Sequence, residues 1–341
     1  MRTIGSGNCG MKLAVLFDEE SVLLSTADQD AANFRGQRVH KFNNDGCGKK
    51  FGTGLKLWNT RSSQLEYALE DITNDQVIVF SSLGGGSGSS SLQFISKILI
   101  EQGNDVLIVG ILPYKKEVVP PLANAVQSLN SLLPFINDVS IMLFDNQILL
   151  KEYDYNWQKV NDSIIQKINY TVNLISKHSS DGYSPATIDQ SELESVIFGG
   201  GFIDLSDNFL EEKPPKFAYG RLDKETKNVL IAMFVDEEIK SKELLEEYHN
   251  ILTTVQSKYA GRARNARIVP GIIRGRIKDS NSERDIEDRA YITIASGLNV
   301  DKYSTKIEKL RDEAVEKATI FSTRQKGRNI VSSKETKVLD I

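Results

Sequence analysis

The stretch SSLGGGSGSSS, residues 81 to 91, combines four glycines with a run of hydroxyls. Composition alone reads it as a flexible linker. Its flanks predict something else. DQVIVF before it reads as a buried strand. SLQFISKILIEQG after it places Leu92, Ile95 and Leu99 at helical spacing, with Gly103 as a stop signal, and NDVLIVGIL (104–112) reads as a second strand. Gly84, Gly85, Gly86 and Gly88, with Ser87 and Ser89, therefore occupy a strand-to-helix turn inside a βαβ unit. That setting suits an anion. Glycines let the backbone come close, and N–H groups at a helix N-terminus point at a phosphate.

GSGNCG (5–10) fits the dinucleotide pattern GxGxxG, a weak signal on its own, and Asp28 lies about where such a fold needs an acid. A dinucleotide enzyme needs one phosphate-binding turn per cofactor, however. This chain offers more: STADQD (25–30) and DGCGKK (45–50) also follow predicted strands. No GKS or GKT follows a glycine turn, so a P-loop is excluded. Several loops at strand ends, converging on one crevice, is how open α/β sheets bind ligands. Three histidines and two cysteines, widely scattered, give no zinc spacing.

The elements that must position these loops alternate strand and helix over residues 1 to 112, which predicts parallel α/β architecture. VSIMLF (139–144) is a further buried strand. Over about 156–178, Val160, Ile164, Ile168, Val172 and Ile175 form one apolar stripe, a long core helix. A turn-rich loop follows, and ESVIFGGGFIDL reads as one more strand ending in glycines. Composition shifts at EEKPPKF (211–217). Beyond it come a strand (NVLIAMFV), a helix (SKELLEEYHNILTTVQ) and two strands (ARIVPGIIRGR and RAYITIASGL), a smaller α+β unit. The expected organisation is a parallel-sheet nucleotide-binding domain over 1–176, a connecting segment over 177–215 and an α+β domain over 216–299. A C-terminal helix over 300–322 and a basic tail over 323–341 complete it.

This set of loops resembles the tubulin and FtsZ superfamily. Its signature, GGGTGS/TG between strand and helix, stands here as GGGSGSS. Ser87 keeps the hydroxyl of the usual Thr, Ser89 keeps the small hydroxyl position, and Ser90 replaces a Gly. GSGNCGMK resembles the first phosphate loop of tubulins, with Gly7, Asn8, Cys9 and Gly10 near the phosphates and Met11 in place of an Asn. Ser25, Thr26 and Ala27 match the second loop. Gly46, Cys47 and Gly48 match the third, around the terminal phosphate. LPYKKEVVPPLANAVQSL resembles the ribose-holding loop and helix: Pro113 and Glu117 fall on family positions, and Pro121 replaces a sugar-binding Arg of FtsZ. Asn146 and Asn161 fall on base-contacting amides and Trp157 on the stacking aromatic. Trp157 and Asn161 sit at i and i+4 on one helix face, a sensible reader of guanine. TIDQSELESV resembles the synergy loop, with Asp189 and Glu192 on its two acids and Thr187 at the Asn position.

The resemblance implies a GTPase that binds GTP and GDP with Mg²⁺, the metal taking no direct ligand from the protein. Asp189 and Glu192 would complete the site of the next subunit in a head-to-tail filament. Taken singly, the residues have plainer readings: Asp189 and Glu192 as a helix cap with a first-turn acid, Trp157 as core, Cys9 and Cys47 as small buried fillers. Basic RARNAR (262–267) reads as the solvated start of a strand. What carries the resemblance is the order of six loops over residues 5 to 192.

A net charge of −4 excludes a general affinity for nucleic acid or anionic membranes. No apolar run reaches the ~20 residues needed to span a bilayer. Two cysteines and no signal-peptide pattern predict a cytoplasmic protein, in a bacterial cell and plasmid- or phage-encoded if the nearest resemblance holds. That resemblance is to the TubZ partition family, suggested by a charged final helix and basic tail in place of the linker and apolar end peptide of FtsZ. It implies a small DNA-binding adaptor of the TubR type, with Arg324–Lys337 as the candidate contact. An FtsZ-like division protein and a monomeric dinucleotide-type enzyme are the alternatives.

Overall fold

The computed structural model describes residues 1–114, 119–178, 190–206, 226–235, 266–274 and 289–298, with single helical positions between 242 and 253 and between 309 and 316. In chain order the elements begin with β1 (Arg2–Ser6), α1 (Gly7–Phe17), β2 (Val22–Ser25), α2 (Asp28–Ala31), β3 (Val39–Lys41), α3 (Phe51–Thr60) and α4 (Ser62–Ala68). There follow β4 (Gln76–Ser82), α5 (Ser87–Glu101), β5 (Asp105–Leu112), α6 (Val119–Leu132), β6 (Val139–Asp145), α7 (Asn146–Glu152), α8 (Trp157–His178) and α9 (Gln190–Phe198). The remaining strands are β7 (Gly201–Ser206), β8 (Asn228–Val235), β9 (Arg267–Arg274) and β10 (Arg289–Ser296).

Among the described residues, one sheet joins ten strands in the order β3-β2-β1-β4-β5-β6-β7-β10-β8-β9. The strands from β3 to β7 pair parallel, and β10 pairs antiparallel with both β7 and β8. Parallel strands need crossovers, and the helices supplying them cover both faces. The pleat sorts the side chains. Val77 and Val79 of β4, with Val106 and Ile108 of β5, enter a core shared with Trp58, Leu92, Leu99 and Leu129. Ile78 and Phe80, with Leu107 and Val109, enter the opposite core with Met11, Val160, Ile164, Ile168 and Val172. The predicted stripe of α8 is thus buried against the sheet up to Val172. The later strands extend both cores: Val229 and Ile231 join the first, Leu230 and Ile294 the second.

One segment differs from expectation. ESVIF is not strand but the last part of α9, and β7 starts only at Gly201. Leu193, Val196 and Ile197, all fully buried, stand at i, i+3 and i+4, a helical face that the short apolar run VIF obscured. The glycines make the corner. Gly200 and Gly201 have φ of +78° and +92°, and a Cβ on Gly200 would lie 2.2 Å from the Asn137 carbonyl oxygen. The positions described within the predicted helices at 241–256 and 300–322 are helical. The tail 323–341, and with it Arg324–Lys337, lies outside the described residues.

Candidate functional site

The loops singled out from sequence gather at the C-terminal ends of β1, β2, β3 and β4. Two helices begin there side by side. A Cβ on Gly7, the first residue of α1, would lie 3.0 Å from the Gly88 nitrogen in the first turn of α5. Gly88 could carry no side chain, since a Cβ would meet the Ser6 carbonyl oxygen at 2.6 Å and the Ser81 hydroxyl at 2.7 Å. Neither helix has a side chain capping its N-terminus, nor an acid in its first turn. Their leading N–H groups thus keep the positive end of each macrodipole directed at the crevice.

The second and third loops close the crevice through Thr26, which is buried. Its hydroxyl donates to Ser87 Oγ at 2.8 Å and stands 3.6 Å from Cys47 Sγ. Ser25 turns inward to the Ala27 carbonyl, and Gly46 donates its N–H to the Thr26 carbonyl at 2.8 Å. Gly46 and Gly48 adopt φ of +71° and +55°, as does the following Lys49 at +56°. Burial pushes the Cys47 thiol above its ordinary range, against the opposing pull of its contacts with Thr26 and Ser87. Cys47 is thus an enclosed group, 5 % exposed, packed into the joint between the second and third loops. Ser89 donates to the Gly85 carbonyl and Ser90 to the Gly86 carbonyl, so these hydroxyls hold the glycine turn. Cys9 packs against the α8-side core.

Sequence reasoning missed the residue that binds the third loop to the glycine turn at 84–89, the fourth loop. Asn124 of α6 is 4 % exposed. Its amide nitrogen donates to the carbonyls of Lys49 and Gly84, each at 3.0 Å, and approaches that of Gly85 at 3.3 Å. Its oxygen accepts from the Phe51 N–H at 3.2 Å. One turn on, Ser128 donates to the Ser89 carbonyl at 3.0 Å. A polar pair at i and i+4 on the buried stripe of α6 was the available signal. Trp58 adds a donor from α3, its indole N–H reaching the Ser87 carbonyl at 3.0 Å. Pro113 and Pro121 flank Gly84, both within about 3.1 Å of its would-be Cβ. Proline thus packs the turn where the resemblance would place a cation. Glu117 lies outside the described residues.

Helix α8 begins with Trp157, 52 % exposed, with Asn161 one turn on. The reading of Trp157 as core is corrected. The chain turns into α8 through Asp154 and Tyr155, both at positive φ. The ring of Tyr155 stands edge-on to Tyr114 with centroids 6.2 Å apart. Asn146 is the first residue of α7, held by the Asp145 cap that accepts from the Gln147 N–H at 2.8 Å. Both amide atoms of Gln147 are enclosed without a partner, as is Asn8 Oδ1 in the first turn of α1. Enclosed polar atoms of this kind call for a ligand, ion or water. An amide oxygen suits a hard cation or the water around one, so the first loop fits an Mg²⁺-bearing phosphate chain.

Of the two acids, Asp189 lies outside the described residues. Glu192 stands in the first turn of α9 and accepts an ion-paired hydrogen bond from Arg267. The RARNAR run thus ends in a residue that pairs with a site candidate. Asp28, the acid of the dinucleotide reading, opens α2 and pairs with Lys41 at 2.6 Å.

Comparison with known proteins bears on this geometry. Residues 3–154 match the Tubulin/FtsZ family, GTPase domain. The tubulin-like protein CetZ of Pyrococcus horikoshii is 27 % identical, over 57 % of this chain and 57 % of its own length. CetZ2 of Haloferax volcanii is 24 % identical, over 62 % and 64 %. The chain therefore spans little more than half the length of the curated relatives it matches. Among solved structures, a GTPγS-form protofilament of Bacillus thuringiensis serovar israelensis TubZ superposes with a TM-score of 0.72 at 17 % identity, covering 95 % of this chain and 94 % of that one. CetZ from Methanosaeta thermophila superposes at 0.68 and 16 % identity, covering 99 % and 97 %. At such identities the likeness is one of fold.

Proposed function

We propose that this chain, whose residues 3–154 match the Tubulin/FtsZ family, GTPase domain, is a filament-forming GTPase that completes its active site only on assembly. The observation that carries the reading is the convergence of four loops on the paired N-termini of α1 and α5, joined through Thr26 and Asn124. Two facing helix ends and a glycine turn bind a chain of phosphates, not a single carboxylate. A half-exposed Trp157, with Asn161 one turn on and Asn146 opening α7, supports a purine base at these helix starts.

In this reading the first and fourth loops hold the phosphates through backbone N–H groups, and the third loop encloses the terminal one. Trp157 stacks on guanine while Asn146 and Asn161 bond its edge. Mg²⁺ held near the Asn8 amide oxygen would supply neutralisation of phosphate charge. Asp189 and Glu192 of a neighbouring copy orient the attacking water and accept its proton. The new P–O bond forms at the γ-phosphorus as the bond to the β,γ-bridging oxygen breaks. A head-to-tail contact of this kind is heterologous and generates an open filament.

The finer proposal is DNA segregation, in which a basic tail (Arg324–Lys337) would engage a small DNA-binding adaptor of the TubR type. It is supported by the likeness to TubZ filament structures and by the tail's composition. The decisive experiment is GTP turnover against protein concentration, with light scattering alongside. The reading expects a threshold concentration, then turnover that follows polymer. Turnover per subunit that stays flat, with no scattering at any concentration, would reject it in favour of a self-contained nucleotide enzyme.

A further inference from the structure

We propose that Arg267 is the positioning residue for the Glu192 carboxylate, fixing the acid that this chain presents to a neighbouring copy; the inference rests on the role given to Glu192 above. The Arg267 Nη2 group donates to Glu192 Oε1 across 75 residues of sequence. Arg267 is the first residue of β9. Its own N–H bonds the Lys227 carbonyl at 2.9 Å, and it stands in register with Asn228 of β8. The base of the guanidinium arm is thus built into the end of a strand pair, which is a rigid place from which to aim a side chain.

Two other ties run from the same strand end to α9. Asn228 Nδ2 donates to the Ser195 carbonyl at 3.2 Å, and Lys227 Nζ to the Gly199 carbonyl at 3.2 Å. Both grip backbone, in the middle of the helix and just past its end. The Arg267 tie is different in kind, because it ends on the carboxylate itself. Helix stability does not ask for it. An acid in the first turn already suits the macrodipole, whereas a cation there opposes it. Nor does fold stability ask for it, since Arg267 is 55 % exposed and Glu192 28 %, and exposed pairs contribute little. What the contact does is choose one direction for a side chain with three rotatable bonds. A planar guanidinium fork sets that direction in a way that a Lys point charge does not. The acid is thereby coupled to the β8–β9 end of the sheet.

The test compares full-length wild type, Glu192→Ala, Arg267→Ala, Arg267→Lys and the double Ala variant. GTP binding, assembly threshold and turnover per polymerised subunit at saturating GTP are measured for each. We expect Arg267→Ala to bind GTP and assemble at a threshold within about twofold of wild type, while turnover in the polymer falls roughly tenfold, as for a lost positioning contact. Arg267→Lys should recover only part of that. The double variant should be no slower than Glu192→Ala alone, because both changes act on one group. A purely structural role would instead move the threshold and nucleotide binding along with turnover. Wild-type turnover in Arg267→Ala beside a slow Glu192→Ala overturns the positioning role alone. So does a double variant whose losses multiply. Wild-type turnover in Glu192→Ala removes the assignment of the acid, and the positioning role with it. Should Arg267→Ala fail to fold, Arg267→Gln and Arg267→Lys carry the same comparison.

Discussion

Asn124 shows how much of the candidate site rests on one buried side chain. Its side chain serves the Lys49 and Gly84 carbonyls and the Phe51 N–H at once. Asn124→Ala strands these groups in an enclosed space, and stability should fall by about 2–3 kcal/mol, the cost of leaving buried polar groups unpaired. Denaturant unfolding checks that figure. GTP affinity, followed by a fluorescent analogue, should fall with it, since the third and fourth loops lose their common anchor. Trp157→Ala should behave in the opposite way. With half of the indole exposed, stability should stay within about 0.5 kcal/mol, yet GTP affinity should drop. Equal affinity in the two proteins would remove Trp157 from the base site. The glycine turns were legible because only glycine tolerates such backbone approach, so their spacing survives in the sequence. Asn124 was not, because one amide on an apolar helix face looks like many others until the two loops it joins are in place. Tyr155 was hidden for a related reason: nothing local announces that its φ is positive.

At the scale of elements, β3 is the short edge strand of the sheet, and its ties to the neighbouring turn are electrostatic. Arg38 forms a two-pronged contact with Asp71, with nitrogen–oxygen distances of 2.8 and 3.2 Å, and its Nε donates to His40 at 3.2 Å. The Arg38 contact holds the Asp71 carboxyl below its ordinary range. Burial first, and then the Arg38 charge, hold the His40 imidazole below its own. For His40 the unfolded chain binds the proton before the folded one does. Stability is therefore full above the ordinary histidine range and falls as the pH drops through it. For Asp71 the loss comes later, as acid reaches the depressed carboxylate range. The expected result is a lower denaturation midpoint at pH 5.5 than at pH 7.5, with His40→Gln flattening that difference. An unchanged slope in the variant would show that His40 stays solvated at this edge. The elements themselves were legible wherever periodicity ran long, as in α5, α8, β4 and β5. The reading failed at α9, where nine residues and a VIF run gave two periods equal support. Only packing of Leu193, Val196 and Ile197 against both parts of the sheet decides for the helix.

For the whole molecule, the proposed division of labour between copies has a direct consequence. A subunit that lacks the acid still presents a complete nucleotide pocket, and a subunit that cannot hold the base still presents its acid. Glu192→Ala is the first kind. Trp157→Ala combined with Asn161→Ala is the second, built on a half-exposed Trp157 and a partly buried Asn161. Each protein alone should hydrolyse GTP slowly. Mixed in equal amounts, they create contacts in which a loaded pocket of the first kind meets an intact acid of the second. If subunits join at random, roughly a quarter of head-to-tail contacts have that composition. Turnover should then rise well above the sum of the separate proteins, towards about a quarter of wild type. At constant total protein, raising the share of the second should give a maximum near equal amounts and then a decline, because pocket-competent subunits become scarce. A monomeric enzyme predicts no recovery at any ratio, since its acid and its pocket belong to the same chain. The mixing curve therefore separates the two architectures without a structure of the filament.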